Sequence, residues 1–394
     1  MKQQPDHKLR VYSDITQLIA SPENPTPLVK LNHINKNKDF EIYLKLERDN
    51  PFGSIKDRIV REMLEGLKTN DKTIIEPSSG NTGIALAGVA NARGILTEVA
   101  VPELIPDEKK TFLKMLGVNL KEAEDKLCPL FPNEGARGLV KALVESPATK
   151  DKYVTLNQYE NNLNVRAHYK TTGPEIWNQT KGKITHFFAA YGTCGTITGT
   201  GKFLKEKNKD IKIVGIEPTT SEHKLPGMKR ITGLSKDLVP KILDKSIIDD
   251  SMAVSDEDAY GTAIELARKE GILVGPTTGA ILFTALKYAK KNKGITVVIS
   301  PDDAFKYASF FKEFLEKPSK TKAIKEHDIR DYHCPLSKVK TMEILSEMKT
   351  GDSAKIILGD SESLKNVAQE LKTRGIKPDF KKENDLFLLT ITKP

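Results

Sequence analysis

The sequence has few cysteines: Cys128, Cys194 and Cys334 are the only ones among 394 residues, and they lie far apart. An odd and sparse set argues against a disulfide framework and favours a reducing compartment. The chain also lacks an apolar run long enough to span a bilayer. Its first residues (MKQQPDHK) lack the apolar stretch of a signal peptide. We therefore expect a cytoplasmic protein without membrane contact.

The basic residues form no cluster of the kind that binds nucleic acid. The formal net charge is +9, but the lysines that produce it are spread along the chain. A nucleic-acid-binding protein would show a basic stripe or a recognisable reader module, and the sequence has neither. The positive charge is compatible with attraction of small anions or with a merely well-solvated surface. We expect no nucleic-acid partner and no metal site.

The hydrophobic pattern indicates an α/β protein. The chain is 38% hydrophobic and 29% charged, so its 394 residues can form two or three domains with buried cores. Between about residues 40 and 300, short apolar runs alternate with longer amphipathic ones, as in βα units. Residues 212–216 (KIVGI) and 296–300 (TVVIS) are typical of buried parallel strands. Residues 257–269 and 279–291 have helical patterns, so we expect one or two doubly wound sheets.

A change of composition separates the last part of the chain. Residues 317–325 (KPSKTKAIK) combine a proline with four lysines, which is typical of a linker. Beyond them the pattern predicts a small βαβαββ unit of two layers. Its expected elements are a strand near Ile329, helices over 335–348 and 363–373, a strand over 354–358, and two closing strands. We predict a large domain at 1–317, a lysine-rich linker at 318–327 and a small domain at 328–394.

Lys56 and a nearby loop suggest covalent cofactor chemistry. Lys56 lies where a turn, residues 50–55 (NPFGSI), leads into a predicted helix. A helix start disfavours an ammonium, so the amine can form a Schiff base. The loop at 78–83 (SSGNTG) precedes another helix, where amides and hydroxyls can bind a carboxylate. Taken alone, Lys56 could be an ordinary surface lysine, and the loop could be an ordinary helix cap. Together they predict pyridoxal-phosphate (PLP) chemistry on an amino acid.

Two further loops fit such a cofactor. Residues 192–199 (GTCGTITG) follow an apolar run and precede a helix, an arrangement that cradles a phosphate with backbone amides. The loop lacks the Lys-Ser/Thr ending of a nucleotide P-loop. Residues 275–279 (GPTTG) open another helix, where a hydroxyl can face a pyridine nitrogen and leave it mostly neutral, which suits β-elimination. Without that context, a turn and a helix cap are the alternatives.

These segments resemble those of the cysteine synthase/cystathionine β-synthase family. Members of that family are fold-type-II PLP enzymes with two doubly wound α/β subdomains. The resemblance extends over about residues 10–315 and is specific, because seven motifs agree in order and approximate spacing. They are residues 26–29 (TPLV), 50–58, 76–83, 157–161 (NQYEN), 168–177 (HYKTTGPEIW), 192–199 and 275–280.

The resemblance assigns roles to individual residues. It implies that Lys56 forms the internal aldimine and moves protons, and that Thr277 faces the pyridine nitrogen. For the substrate carboxylate it implies Ser78, Ser79, Asn81, Thr82 and Gln158, with Asn81 also meeting the cofactor's ring oxygen. For the 5′-phosphate it implies Gly192, Thr193, Cys194, Gly195 and Thr196. Cys194 stands where the family usually has glycine or threonine, and Thr277 where serine is commoner.

The family's reaction is a two-stage β-replacement. An activated serine loses its leaving group to give an α-aminoacrylate, and a sulfur nucleophile then adds at Cβ. The resemblance therefore implies L-cysteine synthesis from O-acetylserine or O-phosphoserine; the leaving group, acetyl, phosphate or hydroxyl, is open. In the O-phosphoserine branch an arginine binds the substrate phosphate, and Arg230 is our candidate, because a guanidinium suits a dianion. A surface arginine is the alternative. The family also implies a homodimer.

The C-terminal unit resembles TusA/SirA-like sulfur carriers. Residues 327–337 (HDIRDYHCPLS) match their signature, although Ser337 stands at the second proline of the usual Cys-Pro-x-Pro. Cys334 precedes a predicted helix whose positive end would stabilise a thiolate. The resemblance implies that Cys334 carries a persulfide and delivers sulfur to the synthase, with a sulfurtransferase as partner. A buried, inert cysteine is the alternative, and it is the favoured interpretation of Cys128 and Cys194.

Two other functions compete with cysteine synthesis. One is a cystathionine β-synthase-like condensation of serine with homocysteine, which differs in the thiol that attacks Cβ. The other is a non-catalytic sulfur-relay protein that acts through Cys334. The intact Lys56 and loop 78–83 argue against the relay, because a decayed enzyme has no physical need to keep both.

Overall fold

A computed structural model describes residues 11–67, 69, 71–78, 80–103, 105–124, 133–316, 325–348 and 352–393. The chain divides into two compact units, Met1–Phe314 and Leu315–Pro394. Within the described ranges, no helix combines the length and apolar character needed to cross a bilayer.

The first unit contains two mainly parallel sheets. One described sheet has six strands in the order β1-β2-β10-β7-β8-β9, and the other has four in the order β5-β4-β3-β6. Only the pairing of β1 with β2 is antiparallel among the described pairs of these sheets. The strands are β1 (Leu28–Lys30), β2 (Phe40–Leu46), β3 (Thr73–Pro77), β4 (Thr97–Pro102), β5 (Asn119–Ala123), β6 (Tyr153–Val154), β7 (Ile184–Ala190), β8 (Lys212–Pro218), β9 (Asp250–Val254) and β10 (Gly294–Ser300).

Helical crossovers connect these strands, as in doubly wound folds. The helices are α1 (Lys56–Glu65), α2 (Asn81–Asn91), α3 (Asp107–Met115), α4 (Gly135–Glu145), α5 (Asn162–Lys170), α6 (Thr172–Gln179), α7 (Gly195–Lys207), α8 (Asp256–Glu270), α9 (Pro276–Ala289) and α10 (Ala308–Glu316). The fold class expected from the sequence is confirmed.

Local sequence explains the clearest of these elements. β10 lies between β2 and β7, so both of its edges are paired and its apolar run is buried. α8 begins after Ser255, whose hydroxyl accepts from the amide of Asp258, and it ends at Gly271 in a left-handed conformation. α2 is apolar on all sides, and its residues from Thr82 to Ala90 are buried.

The second unit has the predicted βαβαββ order. Its elements are β11 (Lys325–Asp328), α11 (Leu336–Glu347), β12 (Ser353–Leu358), α12 (Ser361–Thr373), β13 (Asp379–Glu383) and β14 (Leu386–Thr392). The sheet has the order β11-β12-β14-β13. Its core joins residues of both helices to β12 and β14, including Leu345, Ile356, Leu371 and Leu389.

The first strand of this unit begins earlier than the sequence predicts. β11 starts at Lys325, so three residues that we assigned to the linker belong to the sheet. Its sequence (KEHD) has no apolar pattern, and its order comes from parallel pairing with β12, from Lys325 opposite Ala354 to Asp328 opposite Ile357. Residues 318–324 of the predicted linker lie outside the described residues, and the domain boundaries stay predictions.

Candidate active site

A cavity lies at the carboxyl ends of parallel strands in the first unit, where α/β proteins usually bind ligands. The cavity and its open mouth enclose about 690 Å³, a normal size for a small-molecule site. Helices α1, α2, α3, α7 and α9 each contribute residues at or near their N-termini. The lining residues used below are Lys56, Asn81, Thr82, Lys109, Gly192, Thr193, Cys194, Thr196, Thr277, Asp302 and Tyr307. Because helix N-termini carry partial positive charge, the cavity suits an anionic ligand.

Lys56 is the first residue of α1 and lines this cavity. The turn before it is fixed by hydrogen bonds from the Lys56 amide to Ser54 Oγ (3.2 Å) and from the Ile55 amide to the Pro301 carbonyl (2.9 Å). Burial lowers the pKa of the Lys56 ammonium, and the charge of Asp302 opposes this shift. The amine is therefore more readily deprotonated than an exposed lysine, as a Schiff-base lysine requires.

Buried ion pairs anchor α1 near Lys56. Arg58 Nε lies 2.6 Å from Glu47 Oε2, and Arg58 Nη1 lies 2.5 Å from Glu175 Oε1. Lys45 Nζ lies 2.6 Å from Glu175 Oε2, and none of these side chains is exposed. Burial raises the pKa of Glu47, but Arg58, Lys45 and the Thr26 hydroxyl together outweigh burial and lower it to about 2. Because a lone buried charge is strongly unfavourable, this cluster fixes the orientation of the helix that presents Lys56.

The structure divides the predicted carboxylate-binding residues into two groups. Asn81 and Thr82 line the cavity, whereas the buried Ser78 caps α2: its Oγ accepts hydrogen bonds from the amides of Gly80 (3.0 Å) and Gly83 (2.9 Å). Gln158 lies behind Thr82, accepting from Thr82 Oγ1 at 2.8 Å. Ser79 lies outside the described residues.

The carboxylate of Glu76 holds Gln158 in place. Glu76 belongs to the 76–83 motif, but the sequence does not predict this role. The buried Glu76 accepts hydrogen bonds from Thr155 Oγ1 and from the amides of Leu156, Asn157 and Gln158. Gln158 Nε2 in turn donates to the Pro77 carbonyl at 2.9 Å. The segment around Gln158 is thus tied to the end of β3, beside the start of α2.

The predicted phosphate loop lies between β7 and α7. Gly192, Thr193, Cys194 and Thr196 line the cavity, and Gly195 is the first residue of α7. The first amides of a helix have no intrahelical acceptor, so they are available to a phosphate. A Cβ atom at Gly195 would collide with the side-chain amide of Asn164, so only glycine allows this close approach. His168 contacts the loop from behind, with Nε2 3.1 Å from Thr196 Oγ1.

Cys194 is an unusual residue for the N-cap of α7. Its backbone is left-handed (φ 70°), a conformation that is uncommon for residues other than glycine. Its Sγ donates to the Gly192 carbonyl at 3.7 Å. Burial raises the pKa of the Cys194 thiol to about 12, so the thiol stays neutral and adds no negative charge to the loop.

Thr277 and Arg230 have contrasting positions. Thr277 is the second residue of α9, is buried, and lines the cavity beside Lys56 and the phosphate loop. Arg230 is half-buried and does not belong to the described lining, although its neighbours Pro226, Gly227 and Met228 do. Its predicted role in binding a substrate phosphate stays a prediction.

Three residues that line the cavity, Asp302, Lys109 and Tyr307, were not predicted from the sequence. Asp302 lies just beyond the end of β10, and its Oδ2 accepts hydrogen bonds from Asn81 Nδ2 (2.5 Å) and from the hydroxyl of Tyr307. Lys109, in α3, donates from Nζ to the Tyr307 hydroxyl at 2.9 Å. An acidic residue two positions after the buried strand 296–300 could have indicated Asp302. Nothing in a lysine-rich sequence distinguishes Lys109.

The cavity's polar groups fit pyridoxal phosphate. Asn81 Oδ1 and Asp302 Oδ1 are buried and have no hydrogen-bond partner among the described residues. Buried acceptors are normally satisfied, so these atoms fit N–H donors such as the amino group of an amino acid that reacts with the cofactor. The free first-turn amides of α7 suit the phosphate, and Lys56 supplies the amine for the aldehyde.

The second unit presents Cys334 at its surface. The cysteine is exposed and free, and Asn366 Nδ2 donates to its Sγ at 3.1 Å. Neighbouring His333 Nδ1 lies 3.0 Å from Asp360 Oδ2. The buried Ser337, where the carrier motif has its second proline, donates to Ser363 Oγ at 3.0 Å. Ser363 in turn donates to Asp360, so a hydrogen-bond network replaces the proline.

Comparisons with known proteins agree with this arrangement. Residues 19–302 match the family described as "Pyridoxal-phosphate dependent enzyme", and residues 325–393 match the family "Sulfurtransferase TusA". The cysteine synthase of Aquifex aeolicus is 41% identical over 309 residues, which are 75% of this chain and 92% of that protein.

Two further relatives differ in their described activity. The O-acetylserine dependent cystathionine β-synthase of Bacillus subtilis is 35% identical over 76% of this chain and 97% of its own length. The crystal structure of a hydrogen sulfide-producing enzyme from Fusobacterium nucleatum has a TM-score of 0.67 and 35% identity, covering 75% of this chain and all of that chain (100%).

Proposed function

Because this chain belongs to the pyridoxal-phosphate-dependent enzyme family that includes the cysteine synthases, we propose that its cavity makes L-cysteine by β-replacement on an activated serine. The observation that carries the proposal is the meeting of Lys56, the start of α2 and the phosphate loop in one cavity. These segments are distant in sequence. Lys56 supplies the amine, the start of α2 supplies groups for the substrate carboxylate, and the phosphate loop supplies amides for the cofactor phosphate.

Lys56 both holds the cofactor and moves the substrate proton. When bound, pyridoxal phosphate serves as the electron sink for a carbanion at the substrate Cα. Lys56 removes the Cα proton, and the leaving group departs from Cβ with its electron pair. After the sulfur nucleophile has added at Cβ, the protonated Lys56 returns a proton to Cα. Its lowered pKa favours the free amine that begins this sequence.

The other lining residues bind and orient. Asn81 and Thr82, with the amides at the start of α2, bind the substrate carboxylate, and Gln158 fixes the Thr82 hydroxyl. Gly192, Thr193, Cys194, Gly195 and Thr196 bind the cofactor phosphate. Thr277 presents a neutral hydroxyl to the pyridine nitrogen.

An assay of cysteine formation tests this function. Purified full-length chain with pyridoxal phosphate and sulfide is given O-acetylserine, O-phosphoserine or serine. We expect cysteine from an activated serine, and the preferred compound identifies the leaving group. Lys56→Ala should abolish turnover, and Arg230→Gln should raise KM for O-phosphoserine alone if Arg230 binds its phosphate. No cysteine from any of the three compounds would contradict the proposal.

Homocysteine as the nucleophile is the second candidate, and the Bacillus subtilis relative supports it. The same assay with homocysteine in place of sulfide separates the two reactions. A higher kcat/KM with homocysteine, measured as cystathionine formed, would favour this second function over cysteine synthesis.

We further propose that Cys334 supplies the sulfur atom as a persulfide that a sulfurtransferase loads. The terminal sulfur of the Cys334 persulfide forms the bond to Cβ, which leaves a disulfide between Cys334 and the new cysteine. Two equivalents of an external thiol must then reduce that disulfide; they become a disulfide themselves, and cysteine and the Cys334 thiol are released. The exposure of Cys334 and the hydrogen bond that Asn366 donates to its Sγ support this role, because they present the sulfur at the surface in one orientation.

Comparison of two sulfur sources tests the carrier role. With free sulfide, Cys334→Ser should turn over as fast as the unaltered chain, because sulfide reaches the cavity without the carrier. With a sulfurtransferase, its persulfide donor and a thiol reductant, the same variant should lose most of its turnover. Equal rates for Cys334→Ser and the unaltered chain with the persulfide source would contradict the carrier role.

A further inference from the structure

The cavity contains a buried lysine, Lys109, that belongs to none of the seven family motifs. Lys109 is 1% exposed, and it lines the cavity from the first turn of α3. Lysines are rarely buried completely, because an ammonium loses its hydration there. Gly80 makes room for it: a Cβ atom at Gly80 would overlap the Lys109 stem. Lys109 therefore packs directly against the loop at the start of α2.

Hydrogen bonds connect Lys109 to Asn81. Lys109 Nζ donates to the Tyr307 hydroxyl at 2.9 Å and lies 4.0 Å from the centre of its ring. The Tyr307 hydroxyl donates to Asp302 Oδ2, which also accepts from Asn81 Nδ2 at 2.5 Å. Burial and the neighbouring Asp302 charge raise the pKa of Tyr307. The phenol therefore stays protonated and can accept from Lys109 and donate to Asp302 together.

We propose that Lys109 is a positioning residue of the cavity, acting through Tyr307 and Asp302 on Asn81 and Lys56. This inference uses cofactor binding but does not depend on which serine derivative is the substrate. Asp302 is the shared element, because it accepts from Asn81 and its charge also acts on Lys56. An ammonium at Lys109 offsets the charge of Asp302. A neutral amine leaves that charge to act fully on Asn81 and Lys56.

The protonation of Lys109 is poised to change near neutral pH. Burial lowers the pKa of Lys109 to about 7, against the opposing attraction of Asp302. The other charged groups that act on it are Lys306, Asp303 and Glu108. Lys306 reinforces the decrease, and the two carboxylates oppose it. The Lys306 ammonium donates to the carbonyls of Phe52 and Gly53, so it is held in place beside the turn that leads to Lys56.

The absorbance of bound pyridoxal phosphate tests this connection without substrate. The full-length holoenzyme is titrated between about pH 5 and pH 9 as the unaltered chain and as the variants Lys109→Met, Lys109→Arg and Tyr307→Phe. The control is Lys110→Met, which changes the adjacent half-buried lysine that pairs with Glu122. Thermal denaturation of each variant verifies that it is folded.

For the unaltered chain and Lys110→Met we expect a spectral transition with a midpoint near 7, where Lys109 changes charge. Lys109→Met and Tyr307→Phe should lose this transition, the first by removing the charge and the second by breaking its hydrogen-bonded connection. Lys109→Arg should show the low-pH spectrum throughout, because a guanidinium stays charged.

A transition that persists in Lys109→Arg and Tyr307→Phe overturns the inference, even if Lys109→Met does not fold. So does an unaltered holoenzyme whose spectrum does not change near neutral pH. These results would leave the proposed function intact, because the cofactor would still be bound. A chain that takes up no pyridoxal phosphate would instead contradict the proposed function as well.

Discussion

His168 Nε2 lies 3.1 Å from Thr196 Oγ1, and the other ring nitrogen lies 2.9 Å from Thr172 Oγ1. Burial, reinforced by the charges of Arg58 and Lys56, lowers the pKa of His168 to about 3. The ring is therefore neutral at physiological pH and has one donor and one acceptor. When Nε2 donates to Thr196, the threonine hydroxyl keeps its own hydrogen for a phosphate in the cavity.

Replacement of His168 should weaken cofactor binding. Loss of one oriented hydrogen bond costs about 1 kcal/mol, so His168→Ala should raise the Kd for pyridoxal phosphate roughly fivefold. Fluorescence titration of the cofactor-free protein measures this. The control is His186→Ala, which removes another buried imidazole, in β7, whose ring packs against Phe40 and Tyr288. Equal Kd values for the two variants would contradict a specific role for His168.

Disruption of the buried ion pairs should destabilise the first unit strongly. Arg58→Met leaves Glu47 and Glu175 without their guanidinium, and removing one partner of a buried pair costs about 3–5 kcal/mol. Lys241→Gln removes an exposed pair with Glu160 and should cost less than about 1 kcal/mol. Urea unfolding measures both. A loss below 1 kcal/mol in Arg58→Met would show that the cluster does not fix α1.

The cluster should also make stability depend on pH. The pKa of Glu47 is lower in the folded chain than in the unfolded chain, so its contribution is complete above the unfolded value. That contribution is lost as the pH falls toward about 2. Glu47→Gln should therefore flatten the acid side of the stability curve, as measured by unfolding at a series of pH values. An unchanged curve would contradict the ionised state of Glu47.

The two described cysteines should differ greatly in reactivity. Cys194 is buried and its pKa is raised to about 12, so roughly 10⁻⁴ of it is thiolate near pH 8. Cys334 is exposed. Iodoacetamide labelling followed by peptide mapping should therefore modify Cys334 in the folded chain, and Cys194 only after unfolding. Rapid labelling of Cys194 in the native protein would contradict its placement.

Asn366 should increase the reactivity of Cys334. Its side-chain amide donates to Sγ at 3.1 Å, which holds the exposed sulfur in one orientation for attack on the reagent. Asn366→Ala should slow alkylation of Cys334 several-fold. The control is Gln369→Ala, which removes an exposed amide about one turn later on α12. Equal slowing in both variants would show a general effect on the helix.

The sequence predicts those parts of the site in which glycine and hydroxyl residues follow a strand and begin a helix. Such local patterns indicate the loops at 78–83, 192–199 and 275–279, and the structure brings residues of all three to one cavity. The sequence does not predict which hydroxyls face the cavity. Ser78 has the same side chain in the same loop, yet it caps α2 instead.

The residues that the sequence misses act through distant contacts. Asn81 and Asp302 are separated by 221 positions, and Lys109 and Tyr307 by 198. No local periodicity encodes such pairs, because they depend on how β3, β4 and β10 bring their following segments together. The position of β11 has the same cause, since its polar sequence becomes a strand through pairing with β12.

The most direct measurement is the absorption spectrum of the purified full-length chain with pyridoxal phosphate, before and after addition of O-acetylserine, O-phosphoserine or serine. The proposed function predicts that an activated serine changes the cofactor band, that sulfide then restores it, and that Lys56→Ala shows neither change. A cofactor spectrum that no serine derivative alters would contradict it.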